Sequence, residues 1–305
     1  MGKEDIDTLD FFENNTYFAD IANGFLFGGK QVIEPQKLEV ANKEVAYYGA
    51  QNGAKVIRDN VKKYYDNTLF CIYVLEHQKN IDYHMIIRNM LAEALEYKRQ
   101  WRAKKKVHKE KKDLKTSHEI LSGITREDTF APVVTMVVYY GEDKWDAATS
   151  LHDIIDFGEE FEDLKPYVEN YHIHVFDYHD YDNFEMFQTE LNQIFSFLKC
   201  SKDKEDLKKL IANRQEEYYN MSNESVELIA TLTNSKELLN LENGIEGDLG
   251  GKNMCKALED LKLEGGTDKL KEQIRKKIDK GNTIAEIADA LEEEESVIEQ
   301  LIKEL

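Results

Sequence analysis

Two acidic residues, Asp59 and Glu76, stand on either side of the pair Asp66-Asn67, each in or beside an apolar run. Asp-Asn favours a turn, so the runs KVIRDNVKKYY (55–65) and LFCIYVLE (69–76) predict the two arms of a β-hairpin. With a two-residue loop at Asn67-Thr68, Asp66 faces Leu69 and the ladder brings Asp59 directly opposite Glu76. Directly opposed residues share one sheet face with Cβ atoms about 5 Å apart. Gln78, two positions beyond Glu76, falls on that face as well. Two carboxylates in that arrangement repel, and one of them stays protonated unless a cation joins them. Hard oxygen donors suit Mg2+ or Mn2+. Such an ion polarises a phosphate and lowers the pKa of a bound water, and the Gln78 amide could orient that water. The same residues admit a plainer reading, in which Asp59 pairs with Arg58 or Lys62 on the surface and Glu76 merely ends its strand.

The elements around these residues follow from hydropathy spacing. Tyr17, Phe18, Ile21, Ala22, Phe25 and Leu26 have helical spacing, and Gly28-Gly29 stops that helix. The run 69–76 is apolar on both faces, as a central strand would be. A long helix is expected from near Ile81 past Trp101. Further strands are expected at VVTMVVYY (133–140) and YHIHVFDY (171–178), with a short helix over Leu151 to Ile155 and another from Phe184 to Leu198. Beyond about residue 200 every segment reads as helix, broken at Asn243-Gly244, Gly250-Gly251, Gly265-Gly266 and Gly281. The expected organisation is an α/β domain over residues 1–200 and an acidic helical region over 201–305.

Charge bears on possible partners. The chain of 305 residues carries a net charge of −20, awkward for a surface that meets phosphates. The charge is uneven, however. Residues 98–115 hold ten Lys and Arg against Glu110 and Asp113, whereas residues 283–305 hold eight acids against Lys303. The basic run reads as a phosphate clamp or, equally, as a solvated helix end. Arg88, twelve residues after Glu76, could reach a phosphate or pair with an acid at the edge of the core. The C-terminal stretch has a helix-turn-helix outline, but its charge opposes entry into a DNA groove. It reads as a pair of helices for self-association or as an acidic cover for the basic run.

Cys71, Cys200 and Cys255 are far apart and form no CxxC, so neither a disulfide framework nor a cysteine zinc site is indicated. His172, His174, Asp177, His179, Asp180 and Asp182 have the right types for zinc but lack a defined partner segment. The opening MGKEDIDTLDFF is acidic without an apolar stretch, and the apolar runs are too short to span a bilayer. A cytoplasmic protein is expected.

Several runs, in order and spacing, resemble the recombination-promoting nuclease, or YhgA-like transposase, family: NTYFADIANGFLFGGKQVIEPQKL, VIRDNVKK, VLEHQKNIDYHMIIRNMLAEALEYKRQ and PVVTMVVYYGEDKWDAATSLHDIID, with a weaker echo at MCKALEDL. The resemblance implies the α/β fold of the PD-(D/E)XK nucleases, a central mixed sheet flanked by helices, here with a C-terminal helical appendage. It also implies Mg2+- or Mn2+-dependent hydrolysis of double-stranded DNA linked to recombination. By that resemblance Asp59 takes the place of the superfamily aspartate, Glu76 that of the second acid, and Gln78 that of the usual lysine. Asp20 resembles the extra acid that completes a metal shell. Arg88, Lys98, Arg99, Arg102, Lys104, Lys105 and Lys106 become the candidate DNA contacts. The sequence departs from the family at His77, where Asn is usual, at Lys79, and at Met85-Ile86 in place of Met-Pro. No acidic triad of the transposase kind is evident. The rival expectation is a DNA- or protein-binding member of the same fold without the chemistry. A homodimer would suit cutting both strands.

Overall fold

The computed structural model describes residues 3–47, 54–66, 68–235, 274–278, 282–291, 298 and 302. It divides into two compact units, one of Met1–Leu210 with Glu227–Asn234, the other of Ile211–Val226 with Ser235–Leu305. The glycine breaks expected at 244, 250–251, 265–266 and 281, and the MCKALEDL run, lie outside the described residues.

The first unit is a mixed α/β structure around a five-stranded sheet. Its strands are β1 (Leu38–Val40), β4 (Asn60–Asp66), β5 (Thr68–Gln78), β6 (Val133–Tyr139) and β7 (His174–Asp177), side by side in that order. The pairs β1/β4 and β4/β5 are antiparallel, and β5/β6 and β6/β7 are parallel. A separate hairpin joins β2 (Glu44–Tyr47) to β3 (Ala54–Ile57). The single strand expected over 55–65 is thus two, broken at Arg58-Asp59, so that Asp59 lies on a bend rather than in a ladder.

β5 is central because it can be buried on both sides. Ile72, Val74 and Leu75 have no exposed surface, and each contributes about 1.5–3 kcal/mol of apolar burial. Alternation sorts the contacts. Ile72 and Val74 join Val61 and Val133 on one face, and further along that face Val137 packs with Met85, Ile86 and Ile173. Met85 and Ile86 open α3 (Met85–Lys111), the 27-residue helix between β5 and β6. It begins four residues later than expected, after Asp82 has turned the chain by accepting the His84 amide at 3.1 Å.

The opposite face is aromatic. Phe176 contacts Phe25, Phe187 and Phe195, and Tyr140 stacks on Phe195 at 6.3 Å. Phe25 belongs to α2 (Asn15–Phe27), capped by the Asn14 side chain and ended by Gly28 at φ 61°. This left-handed backbone is one that glycine adopts without strain. Phe195 belongs to α5 (Leu191–Cys200), which starts seven residues after the expected Phe184. Before it, the Asp20 carboxylate binds the backbone amides of Gln188 and Thr189 and holds the chain out of a helix. Lys62 also points to this face, fully buried, with its ammonium on the Glu13 carbonyl at 2.8 Å and the Glu13 carboxylate at 3.2 Å.

In the second unit, Ile274, Ile287, Ala288 and Ile298 form an apolar cluster around the helix Ile284–Leu291. Among the described residues no helix is long and apolar enough to cross a membrane.

Candidate functional site

The hairpin register decides whether Asp59 and Glu76 meet. The ladder opens at Asp66↔Thr68 and Tyr65↔Leu69, not at the expected Asp66↔Leu69. Left uncorrected, that offset would set Asp59 opposite Leu75 and turn the two acids to different faces. A bulge between Tyr64 and Tyr65 absorbs it, giving Tyr64↔Cys71 and, at the far end, Asn60↔Leu75. Asp59 itself lies on the bend just past the ladder, and continuing the register one step would set it opposite Glu76.

Both carboxylates sit at the carboxyl end of β5, where the parallel neighbour β6 also ends, since Gln78 pairs with Tyr139. Asp59 accepts the His77 backbone amide at 2.7 Å. Glu76 is 4% exposed. Its carboxyl is pushed up to about 7, first by burial and then by the negative charge of Asp59, with Arg88 and Arg58 pulling the other way. Arg88, in the first turn of α3, donates to Glu76 at 2.9 Å and to Asp82 at 3.2 Å. Of the two readings open for Arg88, the ion pair with a core-edge acid is the one observed here. Gln78 follows Glu76 on the same face by strand alternation.

The plainer partners for Asp59 are engaged elsewhere. The buried Arg58 guanidinium donates to the Ala92 carbonyl at 2.7 Å, and burial pulls its pKa down. The Lys62 ammonium is taken up by Glu13.

Asp20 is not brought to this site by its hydrogen bonds. Its carboxylate accepts the Gln188 amide, the Thr189 amide at 2.8 Å and the Thr189 hydroxyl at 2.6 Å. Through these three donors Asp20 anchors the approach to α5. No cluster of three or more His, Cys, Asp or Glu suited to a metal is found among the described residues. That holds for the histidine stretch too: His179 Nδ1 pairs with Asp177 at 2.7 Å, and His172 Nε2 lies 3.4 Å from the Asn170 amide.

The expected DNA contacts divide by their partners. Arg99 pairs with Glu96 at 2.8 Å and Lys104 with Asp128 at 3.3 Å. The Lys105 ammonium lies 5.3 Å from the centre of the Trp101 ring, whose indole N–H is given to Ser122. Lys106 approaches Glu110 at 3.9 Å. Arg102, Lys105 and Lys106 are exposed, and Lys98 is half-buried. His108 and Lys104 together fasten the second half of α3 to Asp128, whose carboxyl is held far below the usual range, first by the Thr125 amide and then by these two.

Sequence reasoning missed the support beneath Asp59. The His77 ring lies on the opposite sheet face, its Nε2 2.7 Å from Asn60 Oδ1 and its Nδ1 3.3 Å from the Tyr140 hydroxyl. Asn60 in turn donates to the Leu9 carbonyl at 3.0 Å. Burial pushes His77 down to about 3, so the imidazole is neutral. The available signal was parity: Asn60 and Lys62 are polar at positions that share a strand face with the core residue Tyr64.

A family model described as "Putative transposase, YhgA-like" matches residues 60–228. The chain belongs to this family. The YhgA-like match opens one residue after Asp59 and takes in Glu76, Gln78, Arg88 and the whole of α3, consistent with mobile-element biology. No curated protein and no solved structure matches the chain.

Proposed function

We propose that this YhgA-like protein is a divalent-metal-dependent DNA endonuclease with a PD-(D/E)XK core. One observation carries the reading. The bulge-corrected ladder, continued one step past Asn60↔Leu75, points Asp59 at Glu76 at the open end of the sheet, where burial and then the Asp59 charge raise the Glu76 carboxyl. Nothing in the packing of a simple hairpin calls for two buried-edge acids to be placed together, and the arrangement costs stability unless a cation joins them.

The donor set fits a hard cation. The His77 amide orients Asp59, and Glu76 meets Arg88 at the mouth of the site. Two carboxylates with water and phosphate oxygens suit Mg2+, which keeps much of its hydration. Held by Asp59 and Glu76, the ion would polarise the scissile phosphate and acidify a bound water. The chain's own part is positioning. The His77 amide fixes Asp59, the strand end fixes Glu76, and the Gln78 amide orients the attacking water. Gln78 cannot serve as a base.

The basic helix supplies the grip on the substrate. At 3.6 residues per turn, Arg88, Arg99, Arg102 and Lys106 lie within about 60° of one another around α3. They form a track about 27 Å long that starts at the carboxylates, comparable with about eight base pairs of duplex. Lys104 falls on another side of the helix, towards Asp128.

The test is relaxation of supercoiled plasmid in Mg2+ and in EDTA. Wild type is expected to nick only with Mg2+. Asp59→Ala and Glu76→Ala should lose at least a hundredfold in rate while keeping cooperative melting. Undiminished nicking by either variant defeats the proposal. The replacement of lysine by Gln78 favours a second reading, a member of the fold that binds DNA without cutting it. Wild-type protein that retards duplex in a gel but never nicks it would decide for that reading.

A further inference from the structure

Arg88 lies in the position that a cation on Glu76 would contest. Its guanidinium divides between two acids: Nη2 donates to Glu76 Oε2 at 2.9 Å, and Nη1 to Asp82 Oδ2 at 3.2 Å. The two ends differ. Glu76 is 5% exposed at its side chain, and Asp82, on the loop before α3, is 17% exposed. Asp82 is itself held by the His84 amide at 3.1 Å and contacts the His84 ring. The Arg88 side chain is 32% exposed, so its head reaches solvent at the mouth of the site.

We infer that Arg88 is a cation-released phosphate clamp. In the metal-free protein it neutralises Glu76. When a divalent cation takes Glu76, it repels the guanidinium at close range and outcompetes it for the carboxylate, and Nη2 is displaced. Asp82 keeps hold of Nη1, so the guanidinium swings rather than departs. Its freed N–H groups then face the phosphodiester that lies against the cation, a group that Arg recognises with two parallel hydrogen bonds. Loading of the site and grip on DNA are thereby coupled, and the coupling runs both ways. The inference rests on the metal-dependent reading above and adds an order of events to it.

The coupling predicts effects of opposite sign from one substitution. Arg88→Gln removes the competitor for Glu76, so Mn2+ binding without DNA, followed by loss of the free-ion resonance signal, should tighten several-fold. The same variant should bind a short duplex several-fold more weakly in Ca2+, measured by gel retardation, and Arg88→Lys should recover part of that loss. A residue that only braces the fold would weaken both. Loss of Mn2+ affinity in Arg88→Gln, or Mn2+ and DNA binding equal to wild type, overturns the inference and leaves the metal site standing. Wild-type protein that takes up no Mn2+ overturns the metal site itself.

Discussion

Glu76 is the residue at which the site's electrostatics can be read from stability. Its folded-state carboxyl titrates near 7, against an ordinary 4.5. Between those values the folded protein binds more protons than the unfolded chain, so stability falls as pH rises through that window. The full penalty is present above pH 7 and amounts to about 3 kcal/mol. Glu76→Gln carries no such penalty. In EDTA its melting temperature should match that of wild type near pH 4.5 and exceed it by several degrees at pH 8. Mg2+ should raise the wild-type value at pH 8 and leave Glu76→Gln unmoved. A Gln variant less stable than wild type at pH 8 would mean that Arg88 stabilises the charged carboxylate more than burial disfavours it.

At the scale of elements, α3 joins the carboxylates to the basic run, and the proposed contact of that run with DNA can be tested through salt. Arg102, Lys105 and Lys106 are exposed, so changing all three to Gln should alter stability little. If each meets a phosphate, the slope of log affinity against log salt becomes shallower by about 0.9 per residue, close to 3 for the set. A duplex titration at several KCl concentrations reads this directly, and an unchanged slope removes the second half of α3 from the substrate surface. The sequence exposed these elements unevenly. Strong periodicity located α2, α3, β5 and β6. Parity around Asp66-Asn67 anticipated the register of Asn60 with Leu75, although the turn differs and a bulge restores it. The short β1, with one buried residue of three, has too little pattern to be seen. The fate of Asp20 was illegible for another reason: its partners, Gln188 and Thr189, lie 168 and 169 positions away. The same holds for His77, whose ring partners come from another strand and from beyond β6.

At the scale of the whole molecule, the boundary between units decides where the chain can be cut. A break near residue 200 was expected from the change to all-helical sequence. Helix α8 (Asn223–Leu232) complicates it. Its C-terminal half returns to the first unit, which includes Glu227–Asn234. Leu228, Ile229 and Ala230 are buried there, and the Thr231 hydroxyl donates to Asp7 at 2.6 Å. Burying a leucine and an isoleucine contributes about 1.5–3 kcal/mol each, and an aligned hydrogen bond to a carboxylate about 1.5–3 more. These are large beside the 5–15 kcal/mol that holds a typical domain. Truncation after Cys200 removes all of them, whereas truncation after Asn234 keeps them. The shorter fragment should melt at least 10 °C below the longer one or fail to fold. Fragments of equal melting temperature would place the true boundary at residue 200, and α8 would then belong wholly to the second unit. The comparison also settles how the net charge of −20 bears on DNA. The fragment ending at Asn234 lacks the acidic stretch 283–305 but keeps α3. If that stretch screens the basic track, the fragment binds duplex more tightly than the full chain; if the two never compete for the same charges, the affinities coincide.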